Sequence, residues 1–167
     1  MSRALGGVML KGIPKILSPE LLKALCEMGH SDRLVIADGN FPAESVGKNA
    51  KVIRMDGCGA EELLDAVLAL FPLDHYVEQP VLLMEKVPGD KAETPIWESF
   101  QRIVEKHEGE TRGANPAGPK GSAEGEERIG HLERFRFYKE ASEAYLIIAS
   151  SERALYANVI LQKGVVD

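Results

Sequence analysis

Cysteine is nearly absent. Cys26 and Cys58 are the only two in 167 residues, too few for a disulfide framework and too far apart for a close pair of zinc ligands. Both are expected to be reduced, with Cys26 packed in a helix and neither acting as a nucleophile. No apolar run approaches the length needed to span a bilayer. The first residues, MSRALGGVMLKGIPKIL, lack the continuous apolar core of a secretory signal, so no membrane partner and a cytoplasmic location are expected. Lys and Arg number 20 against 26 Asp and Glu, for a formal net charge of −6, and they form no cluster on one face. That argues against a nucleic-acid partner. His30, His75, His107 and His131 share no zinc-enzyme spacing, so no metal is expected. Gly57-Cys58-Gly59 lacks both the full glycine fingerprint and a Walker lysine, and capping of the following helix explains it more simply. A small neutral ligand fits what remains.

A hydrophobic fraction of 44% and a charged fraction of 28% are those of an ordinary globular protein, and the length suits one domain over residues 1–167. Ser18-Pro19-Glu20-Leu21 reads as a helix start: serine caps free amides, proline suits the first helical position, and glutamate complements the positive end. Leu21, Leu22, Leu25 and Met28 form its apolar stripe, and Gly29 is expected to stop it in a left-handed conformation. Leu34 to Ala37 then reads as a strand covered on both faces. Val52-Ile53 is a second strand. Glu61 to Phe71 is a helix ended by Pro72, with Leu63, Leu64, Val67, Leu68 and Phe71 turned inward.

Val81 to Val87 is a further buried strand. Thr94-Pro95 opens a helix to about His107, in which Trp97 and Phe100 are expected to be core rather than a stacking platform. From Glu108 to Arg128 the chain has no Leu, Ile, Val or aromatic residue, which predicts a flexible surface insertion. Order resumes at Ile129. RFRFY leads into a short helix, and Tyr145 to Ala149 and Asn158 to Leu161 are strands. No internal repeat is present. Alternating strands and helices predict a single layered α/β/α domain with a largely parallel sheet, whose ligand binds outside the carboxyl ends of the strands.

His30 and Asp38 flank the first strand. An imidazole that titrates near neutrality beside a carboxylate could carry acid–base chemistry. Taken alone, His30 could equally complement a helix dipole and Asp38 a turn with Gly39-Asn40. Tyr138, Tyr145 and Tyr156 have polar tips, yet such tyrosines are often half-buried packing residues.

The ordered combination of MLKGIPKILSPELLKALCEMGHSDRLVIADGNFPAES, VIRMDG, RFRFYKEA and SSERALYANVILQKGV resembles the L-fucose mutarotase and D-ribose pyranase (RbsD/FucU-like) family. The likeness runs from about Met9 to Val165 except for the 108–128 segment, and SPELLK, EMGH and RFRFYKEA are closer to the fucose branch. It implies an α/β carbohydrate isomerase that interconverts the anomers of L-fucose by opening and closing the ring. His30 matches the family's active-site histidine and Asp38 its nearby carboxylate, expected to orient or tune the imidazole. Tyr156 would assist proton transfer from the opposite side. Arg134 stands where the fucose branch carries arginine and the ribose branch histidine. Asn158 matches a residue facing the sugar, and Tyr138 comes from the same motif as Arg134.

Proton transfer of this kind calls for no cofactor. The family also implies ring-type homo-oligomers of about five subunits, or two such rings stacked as a decamer, with the pocket near a subunit interface. Two alternatives follow from the same residues: a D-ribose pyranase, against which Arg134 leans, and a non-catalytic monosaccharide-binding protein.

Overall fold

The chain begins its regular structure where Ser18 accepts a hydrogen bond from the Leu21 amide at 3.1 Å, with Pro19 in the first turn. A computed structural model describes residues 10–114 and 128–166, residues 110–114 by their backbone alone. Its helices are α1 (Pro19–Glu27), α2 (Ala43–Val46), α3 (Ala60–Leu68), α4 (Ile96–Ala114) and α5 (Arg134–Ser142). Its strands are β1 (Arg33–Ala37), β2 (Lys51–Met55), β3 (Val81–Met84), β4 (Ile129–Leu132), β5 (Leu146–Ser150) and β6 (Val159–Gln162).

The strands form one six-stranded sheet in the order β2-β5-β1-β6-β3-β4. The pairs β2/β5, β1/β5 and β3/β4 are parallel, and β6 runs antiparallel between β1 and β3. Successive side chains alternate across the sheet, and both faces are covered. Leu34, Ile36, Leu146, Ile148, Val159 and Leu161 meet α1, α3 and α4 through Leu21, Leu63, Leu64 and Phe100. Val35, Ala37, Ile147, Ala149 and Ile160 meet α2 and α5 through Ala43, Phe137 and Ala141. This is the layered α/β/α arrangement with a largely parallel sheet that the alternation of apolar segments predicts.

Local departures have physical reasons. Gly29 is not the left-handed residue after α1. The chain leaves that helix extended at Met28, and the positive φ, 69°, falls on Ser31. The turn is held instead by the Asp32 carboxylate, which accepts from the Gly29 amide at 2.7 Å, and by the Ser31 amide donating to the Lys163 carbonyl at 2.8 Å. Cys26 lies in α1 but is exposed rather than packed, whereas Cys58 is buried.

Helix α4 continues to Ala114, well into the segment read as an insertion. Glu108, Glu110 and Arg112 are good helix formers, so the helix outlasts its apolar stripe. The carboxyl of Glu108 is buried against Arg128, with Arg128 Nε donating to Glu108 Oε2 at 2.9 Å. Residues 115–127, the remainder of that segment, lie outside the described residues. Trp97 is half-buried against the core and Phe100 is fully buried.

Candidate active site

Residue pairing in the sheet assembles the first cluster. Because Ile36 faces Val159 across the antiparallel β1/β6 ladder, Asp38 just past β1 meets Asn158 just before β6. Two reciprocal bonds join them: the Asp38 amide donates to Asn158 Oδ1 at 2.8 Å, and Asn158 Nδ2 donates to Asp38 Oδ2 at 2.9 Å. The Asn40 amide donates to Asp38 Oδ1 at 2.9 Å. Ser150 Oγ, at the end of β5, donates to the Ala37 carbonyl at 2.6 Å and buttresses the same strand end.

Asp38 is 7% exposed and Asn158 is 4% exposed. Burial pushes the Asp38 carboxyl above its ordinary range, against the hydrogen bonds from Asn40 and Asn158 that favour the anion. A raised carboxyl binds its proton more tightly in the folded than in the unfolded chain. Its contribution to stability is therefore fully present below the unfolded value, near pH 4, and is lost as pH rises through the folded one. Asp38→Asn should remove that loss. Urea denaturation at a series of pH values is expected to show that the variant's stability relative to the native protein grows above about pH 4; a constant difference would contradict it.

Tyr156 adopts a left-handed backbone, φ 57°, which turns the chain into β6. Trp97 Nε1 holds the Tyr156 carbonyl at 2.9 Å. The Tyr156 hydroxyl donates to the Asp90 carboxylate and accepts from the Val87 amide at 3.3 Å. The Asp90 bond raises the phenol above its ordinary value, and the positive charge of Arg134 acts against that rise. Arg134 opens α5 with its guanidinium 5.2 Å from the centre of the Phe135 ring and 5.9 Å from that of Tyr138. Tyr138 in turn packs on Phe41, ring centres 5.5 Å apart. Asp38, Asn158, Tyr156, Arg134 and Tyr138 thus gather around the carboxyl end of β1, and together they offer a buried carboxylate, an amide, a guanidinium and phenols to a polar ligand.

His30 is not among them. It precedes β1 whereas Asp38 follows it, and the five residues of that strand extend about 16 Å at roughly 3.3 Å each. Asp38 therefore does not orient the imidazole of its own chain. The partner of His30 is Asp74, with Nε2 and Oδ2 3.2 Å apart, and Tyr76 lies alongside with ring centres 5.6 Å apart. Asp74 is 1% exposed. Burial pushes its carboxyl up, but the Tyr76 amide, the Gln162 side chain and His30 outweigh burial and hold it below the ordinary value. A cavity of about 380 Å³, lined by residues that include Ser31, Arg33 and Gln162, lies at this end of the sheet.

Asp74, Gln162, Asp90 and the indole of Trp97 carry no local signal in the sequence. Asp74 sits in a loop after Pro72, and its partners come from residues 44 and 88 positions away.

Comparison with known proteins gives this geometry a family. Residues 11–166 match the RbsD / FucU transport protein family. The chain is 45% identical over 162 residues to the fucose mutarotase of Homo sapiens, covering 95% of each chain. FucU from Bifidobacterium longum is 59% identical with a TM-score of 0.82, over 94% of this chain and 100% of that one. The fucose mutarotase of Streptococcus pneumoniae, solved in complex with L-fucose, is 42% identical with a TM-score of 0.80, over 95% of this chain and 100% of that one. The chain belongs to the RbsD / FucU transport protein family.

Proposed function

We propose that the chain is a carbohydrate isomerase that interconverts the α and β anomers of L-fucose. The observation that carries the reading is the buried Asp38–Asn158 pair beside Arg134 and Tyr156. Relatives at 44–45% identity bear the name fucose mutarotase, which supports L-fucose as the substrate. Ring opening removes the proton of the anomeric hydroxyl and protonates the ring oxygen; closure on the other face reverses both transfers, with no net change in protons. Asp38, Asn158, Arg134 and Tyr138 hold sugar hydroxyls through a fixed set of donors and acceptors. Tyr156 and His30 move the protons.

A single copy holds His30 about a strand's length from the other groups, so the histidine of each pocket comes from a second copy. That requires a homo-oligomer with heterologous, head-to-tail contacts, the type of contact that closes into rings. The reading places this work in the cytoplasm.

Saturation-transfer NMR of the native protein tests it, with D-ribose run beside L-fucose. Anomer exchange of fucose above the uncatalysed rate, and faster than any effect on ribose, is the expected result. Faster ribose ring interconversion would favour a pyranase, and binding of either sugar without acceleration would leave only a monosaccharide-binding protein.

A further inference from the structure

The loop between β3 and α4 closes on the tip of Tyr156. Val87-Pro88-Gly89-Asp90 forms a type II turn: proline suits its second position, Gly89 takes the left-handed φ of 86° at its third, and the Asp90 amide donates back to the Val87 carbonyl at 2.9 Å. Asp90 Oδ1 accepts from the Ala92 amide at 2.8 Å, so the loop aims its own carboxylate. Lys86 Nζ donates to the Ala92 carbonyl at 3.1 Å and holds the two arms of the loop together. Residues 85–91 are exposed. The loop is anchored at its start, where the Glu85 amide donates to the Leu132 carbonyl at 2.8 Å, and at its tip, where Val87 and Asp90 both bond the Tyr156 hydroxyl.

The polarity of those two bonds is fixed. A phenol has one proton to give and two lone pairs with which to accept. The proton of Tyr156 goes to Asp90 Oδ2, and one lone pair takes the Val87 amide at 3.3 Å. A backbone amide only donates and a carboxylate only accepts, so neither bond can be reversed. The Tyr156 hydroxyl and the Ala92 amide hold Asp90 below the ordinary carboxylate value, which keeps it ionised at neutral pH. Trp97, in the first turn of α4, grips the Tyr156 carbonyl at 2.9 Å, so the backbone is held as firmly as the hydroxyl. Tyr156 is left with one lone pair, and a sugar hydroxyl that meets it must donate.

We propose that Asp90 is a positioning residue for the reaction: it draws off the Tyr156 proton, so that the phenol oxygen receives the proton of the anomeric hydroxyl instead of giving one to the ring oxygen. The inference rests on the mutarotase reading and assigns one of its two proton transfers. In ring opening the anomeric O–H bond breaks and its proton bonds to Tyr156 Oη, while the phenol's own O–H bond breaks and that proton passes to Asp90 Oδ2. The electron pair left on the anomeric oxygen becomes the second bond of the aldehyde as the ring C–O bond breaks. The ring oxygen keeps that bond's electrons and takes a proton from the imidazolium of His30. Closure on the other face runs both transfers backwards, and no proton is gained or lost.

Asp90→Asn is the discriminating variant. Its side-chain oxygen still accepts from the Ala92 amide, but its Nδ2 donates to the phenol, which then has both lone pairs occupied and its proton turned to the sugar. By saturation-transfer NMR, kcat for fucose anomer exchange should fall by at least about tenfold, a part of the roughly 10²–10⁴-fold worth of a general acid–base group, with KM within about threefold. Asp90→Glu restores a carboxylate on a longer arm and should recover part of kcat. Tyrosine labelled with carbon-13 at Cζ, with Tyr156 assigned by its loss in Tyr156→Phe, reports the phenol directly. It should titrate above the ordinary value of about 10 in the native protein and at lower pH in Asp90→Asn, where the neighbouring anion is gone. Native kcat in Asp90→Asn, a loss confined to KM, or a glutamate variant no better than the asparagine one would each overturn the proposal. A native phenol that titrates at or below the ordinary value would overturn it even if no variant folds. Absence of fucose exchange in the native protein would instead overturn the mutarotase reading, and the phenol titration would still decide whether Asp90 holds the proton.

Discussion

An equal mixture of His30→Ala and Asp38→Ala proteins, refolded together, should regain fucose anomer exchange that neither variant has alone. His30→Ala by itself is expected to lose on the order of 10²–10⁴-fold, the usual worth of a general acid–base group, without loss of fold, since its side chain is 44% exposed. Asp38→Ala removes the acceptor of Asn158 and Asn40 at the other end of β1. If each pocket joins the His30 end of one copy to the Asp38 end of another, random mixing leaves about one quarter of the head-to-tail junctions with both native residues. Recovery of about that fraction, read by saturation-transfer NMR, is the expected result. A mixture as inert as its components would show that both residues serve a single copy's site, and the two-copy pocket would be abandoned.

The second large effect concerns folding. Arg128→Ala should destabilise the protein by about 3–5 kcal/mol, the cost of removing one partner from a buried ion pair. The side chains of Arg128 and Glu108 are 13% and 10% exposed, so Glu108 would be left as a largely buried charge without this partner. The same guanidinium also donates to the carbonyls of Asp74 and Val77, at 2.8 and 2.9 Å. A domain of this size is stable by about 5–15 kcal/mol, which makes the loss a large share of the total. Urea denaturation at neutral pH measures it. The double variant Arg128→Ala/Glu108→Ala should be more stable than Arg128→Ala, because the stranded charge is gone. A loss below about 1 kcal/mol in the single variant would place the pair among surface ion pairs of little consequence.

Elements with short-range causes were legible in the chain. Ser18-Pro19 starts α1 as its capping chemistry demands, and the apolar segments at Leu34–Ala37, Tyr145–Ala149 and Asn158–Leu161 each lie within a residue of an observed strand. Two of the four-residue elements, β4 and α2, were not. Ile129–Leu132 contains a glycine and a histidine in its IGHL and becomes β4 only by pairing with β3, and Ala43–Val46 is too short to show a helical period. Gly29 was a reasonable terminator on local grounds, but Lys163, far along the chain, sets the turn at Ser31 instead.

The site divides in the same way. Asp38 and Asn158 could be singled out by their motifs, yet their contact depends on β6 running antiparallel beside β1, which no local pattern specifies. The orienting carboxylate was assigned to Asp38 because it is near His30 in sequence. A strand separates residues close in number by its full length, and Asp74, 44 residues away, holds the ring instead.

If the proposed pocket joins two copies, placing His30 and Asp38 at opposite ends of one strand would also govern how activity scales with concentration. On the proposed two-copy pocket, an isolated copy would own two unmatched halves and no complete pocket. A head-to-tail pair completes one pocket for two copies and leaves a half idle at each end, whereas closing the chain of contacts gives one pocket per copy. Turnover per copy is then expected to fall on dilution below the strength of the junction and to reach its ceiling only when no end is left over. With such a pocket the protein's catalytic capacity would be a property of the closed assembly, and specific activity would become a direct gauge of how much of the population has closed.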